Sequence, residues 1–127
     1  FIIDTNVAYV ITQNRQEIPA IAFDGTNYLV VWEDERGASS YATDDHDASF
    51  DLYGARVAPN GNIIDTVGII IANDVNDQIS PSVAFDGTNF LVVWMDARSG
   101  SWDIYGARVA PNGTVLDPSG CSASDGT

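Results

Sequence analysis

The sequence has no lysine, a single cysteine and a single histidine, and each scarcity argues against a class of function. The only basic residues are five arginines, against eighteen acidic residues, and a net charge of −13 argues against nucleic-acid binding, which needs a basic surface. The same charge opposes attachment to anionic membranes. Cys121 has no partner for a disulfide within the chain. No apolar run approaches the ~20 residues of a membrane span, so we expect no membrane insertion.

An internal duplication is the main feature that the sequence does have. The segment AFDGTNYLVVW at 22–32 returns at 84–94 with one aromatic exchange, and DLYGARVAPNG at 51–61 returns at 103–113 with one aliphatic exchange. The first pair is 62 residues apart and the second pair 52 residues apart, so the first copy carries an insertion of ten residues. A fixed period of this length indicates a repeat architecture.

Each copy is predicted to form four antiparallel strands, A to D. Gly25 and Gly87 in the A–B turns, and Pro-Asn-Gly in the C–D turns, supply the positive φ that tight hairpins need. Strand B is a continuous apolar run, which is typical of a strand buried on both faces. The predicted strands A to D are 18–23, 27–32, 52–58 and 63–72 in the first copy, and 80–85, 89–94, 104–110 and a segment starting at 114 in the second.

The predicted fold is therefore all-β, with two four-stranded antiparallel repeats that are like propeller blades and an extra strand at the N-terminus. The alternative is a β-sandwich made from the duplicated sheet. We divide the chain into an N-terminal strand at 1–12, repeat 1 at 13–72 with a B–C loop insertion at 37–50, and repeat 2 at 73–127. The last strand of repeat 2 is degenerate.

The N-terminal strand has a predicted role in assembly. The letters IIDT at 2–5 recur at 63–66, which identifies residues 1–12 as a D strand without its own sheet. Two blades cannot close a propeller, which typically takes four to eight. We therefore expect the strand at 1–12 to be donated to a neighbouring chain, where it would cover the edge left open by the degenerate strand.

The repeated pattern FDGTN(Y/F)LVVWxDxR, followed by D(L/I)YGARVxPxG, resembles the tandem propeller-type repeats of large secreted and cell-surface proteins of bacteria and archaea. The resemblance covers nearly the whole chain. It implies a propeller-type fold, an extracellular or cell-surface location, and a binding or architectural role.

Arginine and aspartate recur at equivalent positions of the two copies. We interpret them as Arg–carboxylate forks that tie the B–C loop to strand C; a ligand site in every repeat is the alternative. The recurring residues are Asp34 and Arg36 with Asp96 and Arg98, and Arg56 with Arg108.

The B–C insertion is the candidate metal site. Its carboxylates suit calcium, which takes six to eight oxygen ligands, although the glycine and closing glutamate of an EF-hand loop are missing. A solvated acidic loop is the alternative. His46 alone does not make a zinc site. The candidate calcium ligands are Asp44, Asp45, Asp47 and Asp51.

Two further features concern glycans. Asn112 begins an N-glycosylation sequon in the second C–D turn, a hint of an extracellular protein. Trp102 and Tyr41 lie in predicted loops and are candidate platforms for stacking on sugars, whereas Trp32 and Trp94 end strand B and are predicted to be core residues.

We expect no enzyme activity, because triads have few candidate members in a chain with one histidine, one cysteine and no lysine. The three glutamates are not repeated, so no paired glycosidase site is indicated. The sequence leaves three functional hypotheses. They are an extracellular structural module that self-associates by strand and blade complementation into a ring or filament, a carbohydrate-binding (lectin-like) module, and a fragment of a larger surface protein or enzyme.

Overall fold

The computed structural model describes residues 15–36 and 49–124, which form two four-stranded antiparallel sheets. The predicted all-β class is confirmed, and these two sheets are not a closed propeller. No helix with the length and hydropathy to cross a membrane occurs in the described ranges. The first sheet contains β1 (Gln16–Phe23), β2 (Tyr28–Asp34), β3 (Asp51–Val57) and β4 (Ile69–Ala72), and the second contains β5 (Gln78–Phe85), β6 (Phe90–Asp96), β7 (Asp103–Val109) and β8 (Cys121–Ser122), each in sequential order.

A bulge interrupts the first ladder of each sheet at the same place. The register shifts around Ile18-Pro19 in the first sheet and around Ser80-Pro81 in the second. Proline has no N–H to give to a ladder, and both residues before proline have a left-handed φ of 54°. Strand A therefore begins before the predicted start at 18 and continues across the bulge.

The predicted strand D is divided in two. Ile63 forms only an isolated bridge with Val57, and the chain then turns at Gly68, where φ is 83°, before β4 begins. The second sheet repeats this arrangement, but β8 has two residues where β4 has four. The strand predicted at 1–12 lies outside the described residues, so its donation to a neighbour stays a prediction.

The two sheets pack on each other through one shared core. Strand β5 lies against β1, β2 and β3 of the first sheet. Burial of a large apolar side chain contributes about 1.5–3 kcal/mol. The apolar side chains buried between the two sheets therefore make the main contribution to holding the sheets together. The buried core residues are Leu29, Val31, Leu52, Ile71 and Ala72 from the first sheet, and Phe90, Val92, Trp94, Ala107 and Val109 from the second.

The two B strands differ in burial although their sequences are nearly identical. In β2 every residue after Tyr28 is buried, as predicted for a strand covered on both faces. In β6 the side chains alternate, and Leu91 is 47% exposed. The prediction is therefore correct for β2 and wrong for β6. The difference lies on the outer sides of the two sheets, where Val30 and Trp32 of β2 are buried but Leu91 of β6 is exposed.

Candidate interaction surface

Each sheet contains a buried Trp–Asp–Arg network at the end of strand B. In the first sheet, the carboxylate of Asp34 accepts hydrogen bonds from Trp32 Nε1 at 2.8 Å and Arg36 Nη2 at 2.7 Å. The guanidinium of Arg36 lies 4.0 Å from the ring centroid of Tyr53 in β3. Burial raises the pKa of Asp34 above its usual value, against the opposing effect of these hydrogen bonds.

The second sheet repeats the network. Asp96 accepts from Trp94 Nε1 at 2.8 Å and from Arg98 Nη2 at 2.6 Å, and Arg98 lies 4.0 Å from the ring centroid of Tyr105. Burial alone would raise the pKa of Asp96, but the hydrogen bonds from Arg98 and Trp94 outweigh it and lower that pKa. The recurring Asp and Arg residues are thus internal cross-links, and the contact between the B–C loop and strand C is a cation–π contact rather than the predicted fork.

The remaining recurrent arginines form forks, but not with the B–C loop. Arg56 binds Asp65 through Nε and Nη2 at 2.8 and 2.9 Å, and Arg108 binds Asp117 through the same atoms at 2.9 Å. The hydrogen bonds from Arg108 lower the pKa of Asp117 to about 2. Each fork joins strand C to the segment that follows the C–D turn, which corrects the predicted partner.

Arg56 also crosses from the first sheet to the second. Its Nη1 donates to the carbonyl oxygen of Pro111 at 3.4 Å. Gly113 in the same turn lies directly against it: a Cβ at that position would be 3.0 Å from Nε of Arg56. The first sheet therefore holds the C–D turn of the second with one arginine, at the edge of the shared core.

A second polar contact between the sheets involves the bulge. The Oε1 atom of Glu33 accepts a hydrogen bond from the backbone N–H of Ser80 at 2.7 Å. Burial raises the pKa of Glu33, and the bond from Ser80 opposes that shift. The equivalent position in the second sheet is Met95, which has no carboxylate, and the equivalent of Ser80 is Ile18.

The outer side of the first sheet is an apolar surface, which we call the N-face. Cross-strand pairing places Ile21 beside Val30 and Ile70 beside Tyr53 on this side. Val30 is buried, but Ile21 and Ile70 are 60% and 48% exposed. The N-face comprises Ile21, Phe23, Tyr28, Val30, Trp32, Tyr53 and Ile70.

The outer side of the second sheet is the C-face. Register pairs Leu91 with Ala84 and Arg108, and Met95 with Ile104. Leu91 and Ile104 are 47% and 42% exposed, and Ala84 is exposed as well. The C-face comprises Ala84, Leu91, Val93, Met95 and Ile104, with Arg108 at its edge.

Each outer face is equivalent, by its positions in the sequence repeat, to the inner face of the other sheet. The C-face residues Leu91, Val93 and Ile104 correspond to Leu29, Val31 and Leu52, which are fully buried under the second sheet. The N-face corresponds to the inner side of the second sheet, where Val83 and Phe85 replace Ile21 and Phe23 and pack into the core. The C-face is therefore an exposed copy of one half of an interface that the chain also forms internally. The N-face is a copy of the other half, and on it only Ile21, Phe23 and Ile70 are exposed.

The predicted calcium ligands are only partly within the described ranges. Asp51 begins β3, and burial, reinforced by the charges of Asp34 and Asp77, raises its pKa to about 6. Among the described residues no group of three or more His, Cys, Asp or Glu side chains is arranged to hold a metal ion. The other three candidates, Asp44, Asp45 and Asp47, lie outside the described residues, so the calcium site stays a prediction.

The candidate glycan residues are at the surface where the structure describes them. Asn112 is exposed, and its Oδ1 accepts a hydrogen bond from the backbone N–H of Thr114 at 3.0 Å. Trp102 is 51% exposed just before β7, whereas Trp32 and Trp94 are buried as predicted. Tyr41 lies outside the described residues.

The N-face and the C-face were not among the features predicted from the sequence. The alignment of the two copies contained a signal for the C-face. Leucine stands at the equivalent positions 29 and 91, but in a chain of two sheets only one of these side chains can be covered by the other sheet. The contacts of Arg56 with Pro111 and of Glu33 with Ser80 had no sequence signal, since each joins residues more than 45 positions apart.

Neither the protein-family models, nor the curated proteins, nor the solved structures with which the chain was compared gave a match.

Proposed function

We propose that this chain is a structural module that self-associates, adding further copies of itself to the two-sheet stack. The observation that carries the proposal is the exposure of Leu91 and Ile104 on the C-face and of Ile21, Phe23 and Ile70 on the N-face. The counterparts of these two faces bury each other inside the chain. A surface of this composition is expected to find a partner, because contiguous exposed apolar patches mark interaction sites.

The chemistry of the faces favours another copy of the chain as the partner. The C-face residue Leu91 is identical to Leu29, and Val93 is identical to Val31, so the C-face is already complementary in side-chain type to a sheet of this sequence. The N-face has the Tyr/Phe–Val–Trp alternation that covers Leu29 and Val31 in the core. No other binding partner needs to be introduced to explain either face.

Net charge is expected to limit this association. Each chain has a charge of −13, so two copies repel each other over distances set by the ionic strength. Apolar contact acts at short range and is little affected by moderate salt. Association is therefore expected to strengthen when the salt concentration rises from about 0.05 to 0.5 M, because screening removes repulsion.

The test is the mass of the native particle at several chain concentrations, by light scattering after size exclusion, with negative-stain images of the same sample. We expect species larger than one chain that grow with concentration and with salt. The matched comparison is a variant with Leu91→Asp and Ile104→Asp, which places charge on the C-face at two exposed positions. A wild-type chain that stays monomeric at all concentrations and salt conditions refutes the proposal.

A carbohydrate-binding module is the second candidate, and the exposed Trp102 favours it. Indole rings at the surface stack on sugar faces, where they give large contact area at low entropic cost. Titration with a glycan panel, monitored by tryptophan fluorescence, tests this function. Quenching that is lost in Trp102→Ala but retained in the C-face variant would support it, and no response to any glycan would refute it.

An extracellular location, glycosylation and calcium complete the proposed role. The acidic, lysine-free composition and the exposed sequon at Asn112 support a location at the cell surface or outside the cell. Calcium in the acidic B–C insertion would reduce repulsion between copies. Repeating the mass measurement with calcium and with chelator tests this point, and identical particle masses in both conditions would remove calcium from the proposal.

A further inference from the structure

We infer that the copies associate head to tail, the C-face of one chain on the N-face of the next, and that Arg108 at the C-face binds the Pro59–Gly61 turn of the next chain. This inference rests on the proposed self-association and specifies its polarity and its polar contact. It follows from comparing the contacts that the first sheet makes inside the chain with those that the second sheet leaves unmade.

The first missing contact is a hydrogen bond from Nη1 of Arg108 to a neighbouring sheet. Its counterpart Arg56 uses Nε and Nη2 for Asp65 and Nη1 for the carbonyl oxygen of Pro111 in the next sheet. Arg108 uses Nε and Nη2 for Asp117 in the same way, but no described residue accepts from its Nη1. The side chain of Arg108 is 56% exposed, against 19% for Arg56.

The second unmade contact lies on the acceptor side. The turn at 59–61 has the same Pro-Asn-Gly sequence as the turn at 111–113, and the same φ of 90° at its glycine. Arg56 covers Gly113, yet nothing lies within 4 Å of a Cβ built on Gly61. No described donor reaches the carbonyl oxygen of Pro59, which is the equivalent of the acceptor at Pro111. Within residues 15–36 and 49–124, Nη1 of Arg108 in the second sheet and the carbonyl oxygen of Pro59 in the first thus lack the contact that their counterparts Arg56 and Pro111 make with each other.

Polarity follows from this pairing. In a head-to-tail contact, Arg108 faces the 59–61 turn of the next chain, and Leu91 meets the N-face just as Leu29 meets the second sheet. A symmetric contact between two C-faces would leave the N-face of both chains exposed and would give Arg108 no Pro-Asn-Gly turn to bind. Head-to-tail contacts produce a ring or a filament, whereas the symmetric contact stops at a dimer.

The experiment uses two variants that each have one face blocked. The N-blocked variant has Ile21→Asp and Phe23→Asp, and the C-blocked variant has Leu91→Asp and Ile104→Asp; all four residues are exposed. Urea unfolding confirms that each variant folds, and serine at the same positions replaces aspartate if one does not. Analytical ultracentrifugation then measures each variant alone and the 1:1 mixture.

Head-to-tail polarity predicts that each variant alone is monomeric and that the mixture contains a dimer of one N-blocked and one C-blocked chain. If the N-blocked variant alone forms dimers, the contact is C-face to C-face and the polarity is wrong. If both variants and their mixture are monomeric while the wild-type chain assembles, these faces are not the contact. A monomeric wild-type chain instead refutes the proposed function itself.

The role of Arg108 is tested in the same mixture. Arg108→Gln in the N-blocked chain, whose C-face is in use, is expected to weaken the mixed dimer about tenfold, because a charged hydrogen bond across the contact is lost. The same substitution in the C-blocked chain changes the net charge equally but lies outside the contact, so it is expected to leave the affinity unchanged. Equal effects in the two chains would show that Arg108 does not bind the neighbouring turn.

Discussion

Two glycines in equivalent turns provide a sharp test of the role of the arginine contacts. Gly61 and Gly113 both follow Pro-Asn and both have a φ of 90°, so alanine at either position incurs the same backbone strain of about 1–2 kcal/mol. Only Gly113 lies against an arginine: an added Cβ would be 3.0, 3.2 and 3.3 Å from Nε, Cζ and Nη2 of Arg56. The guanidinium is fixed by its two bonds to Asp65, so displacing it weakens a charged hydrogen bond.

The lost hydrogen bond adds about 1–2 kcal/mol to the effect of Gly113→Ala. We therefore expect the free energy of unfolding to fall by about 1–2 kcal/mol in Gly61→Ala and by about 2–4 kcal/mol in Gly113→Ala. Urea unfolding in the C-blocked background measures both without a contribution from association, which would otherwise stabilise the folded chain by mass action. Adding Arg56→Ala to both variants is expected to make their losses equal.

In the association assay we expect the opposite ranking, with the larger effect from Gly61→Ala and the smaller effect from Gly113→Ala. Gly61 is the position that Arg108 of the neighbouring chain would cover, so in the mixed dimer Gly61→Ala in the C-blocked chain weakens binding, whereas Gly113→Ala there does not. Equal unfolding free energies for the two variants would refute the contact with Arg56. A mixed dimer unaffected by Gly61→Ala would refute the inferred contact with Arg108.

Three further substitutions test the networks and the missing contact. Asp96→Ala leaves the buried indole N–H of Trp94 without an acceptor and leaves Arg98 with Asp74 as its remaining carboxylate partner, so it is expected to lower the free energy of unfolding by about 2–4 kcal/mol in urea. A much smaller loss is expected in Asp86→Ala, whose carboxylate caps an exposed turn. Burial, reinforced by the charges of Asp34 and Asp77, raises the pKa of Asp51 to about 6 in the folded chain, so the contribution of Asp51 to stability falls as pH rises from about 4 to 6. Asp51→Asn is expected to remove that contribution from the dependence of stability on pH. It should also stabilise the chain at pH 7 by about 1 kcal/mol, because solvent screening of this half-buried carboxylate reduces the effect of the shift. Asp103→Asn keeps the contribution because Asp51 is untouched, and an unchanged dependence on pH in Asp51→Asn would refute the assignment. Met95→Glu in the N-blocked chain supplies the carboxylate that the C-face lacks and is expected to tighten the mixed dimer several-fold, and an unchanged affinity would contradict the equivalence of the two interfaces.

The duplication made most of the fold predictable, because each turn carries its own chemical signal. Asp24 and Asp86 accept hydrogen bonds from the backbone two and three residues later, which fixes the A–B hairpins locally. The bulges were harder to predict. Proline at 19 and 81 was visible in the sequence, yet the positive φ of the preceding residue is set by the sheet around it.

The candidate surface could not be predicted, because it depends on which side of each sheet packs inward. Leu29 and Leu91 stand in the same local sequence, and only the order of the two sheets in space makes one buried and the other exposed. The same holds for Arg56 and Arg108. The sequence repeat shows which residues occupy equivalent positions, but only the packing of the sheets shows which equivalent residues differ in burial and contacts.

The exchange of Glu33 for Met95 has a consequence for the composition of any assembly. Inside the chain, the carboxylate of Glu33 binds the backbone N–H of Ser80 in the bulge of the following sheet. In the proposed contact between chains, the thioether of Met95 would stand at that position. In the proposed stack every second junction would therefore be weaker and not covalently continuous, so dilution is expected to break the stack at those junctions alone. Particles of every size would contain an even number of sheets, and growth or shortening would proceed in steps of two.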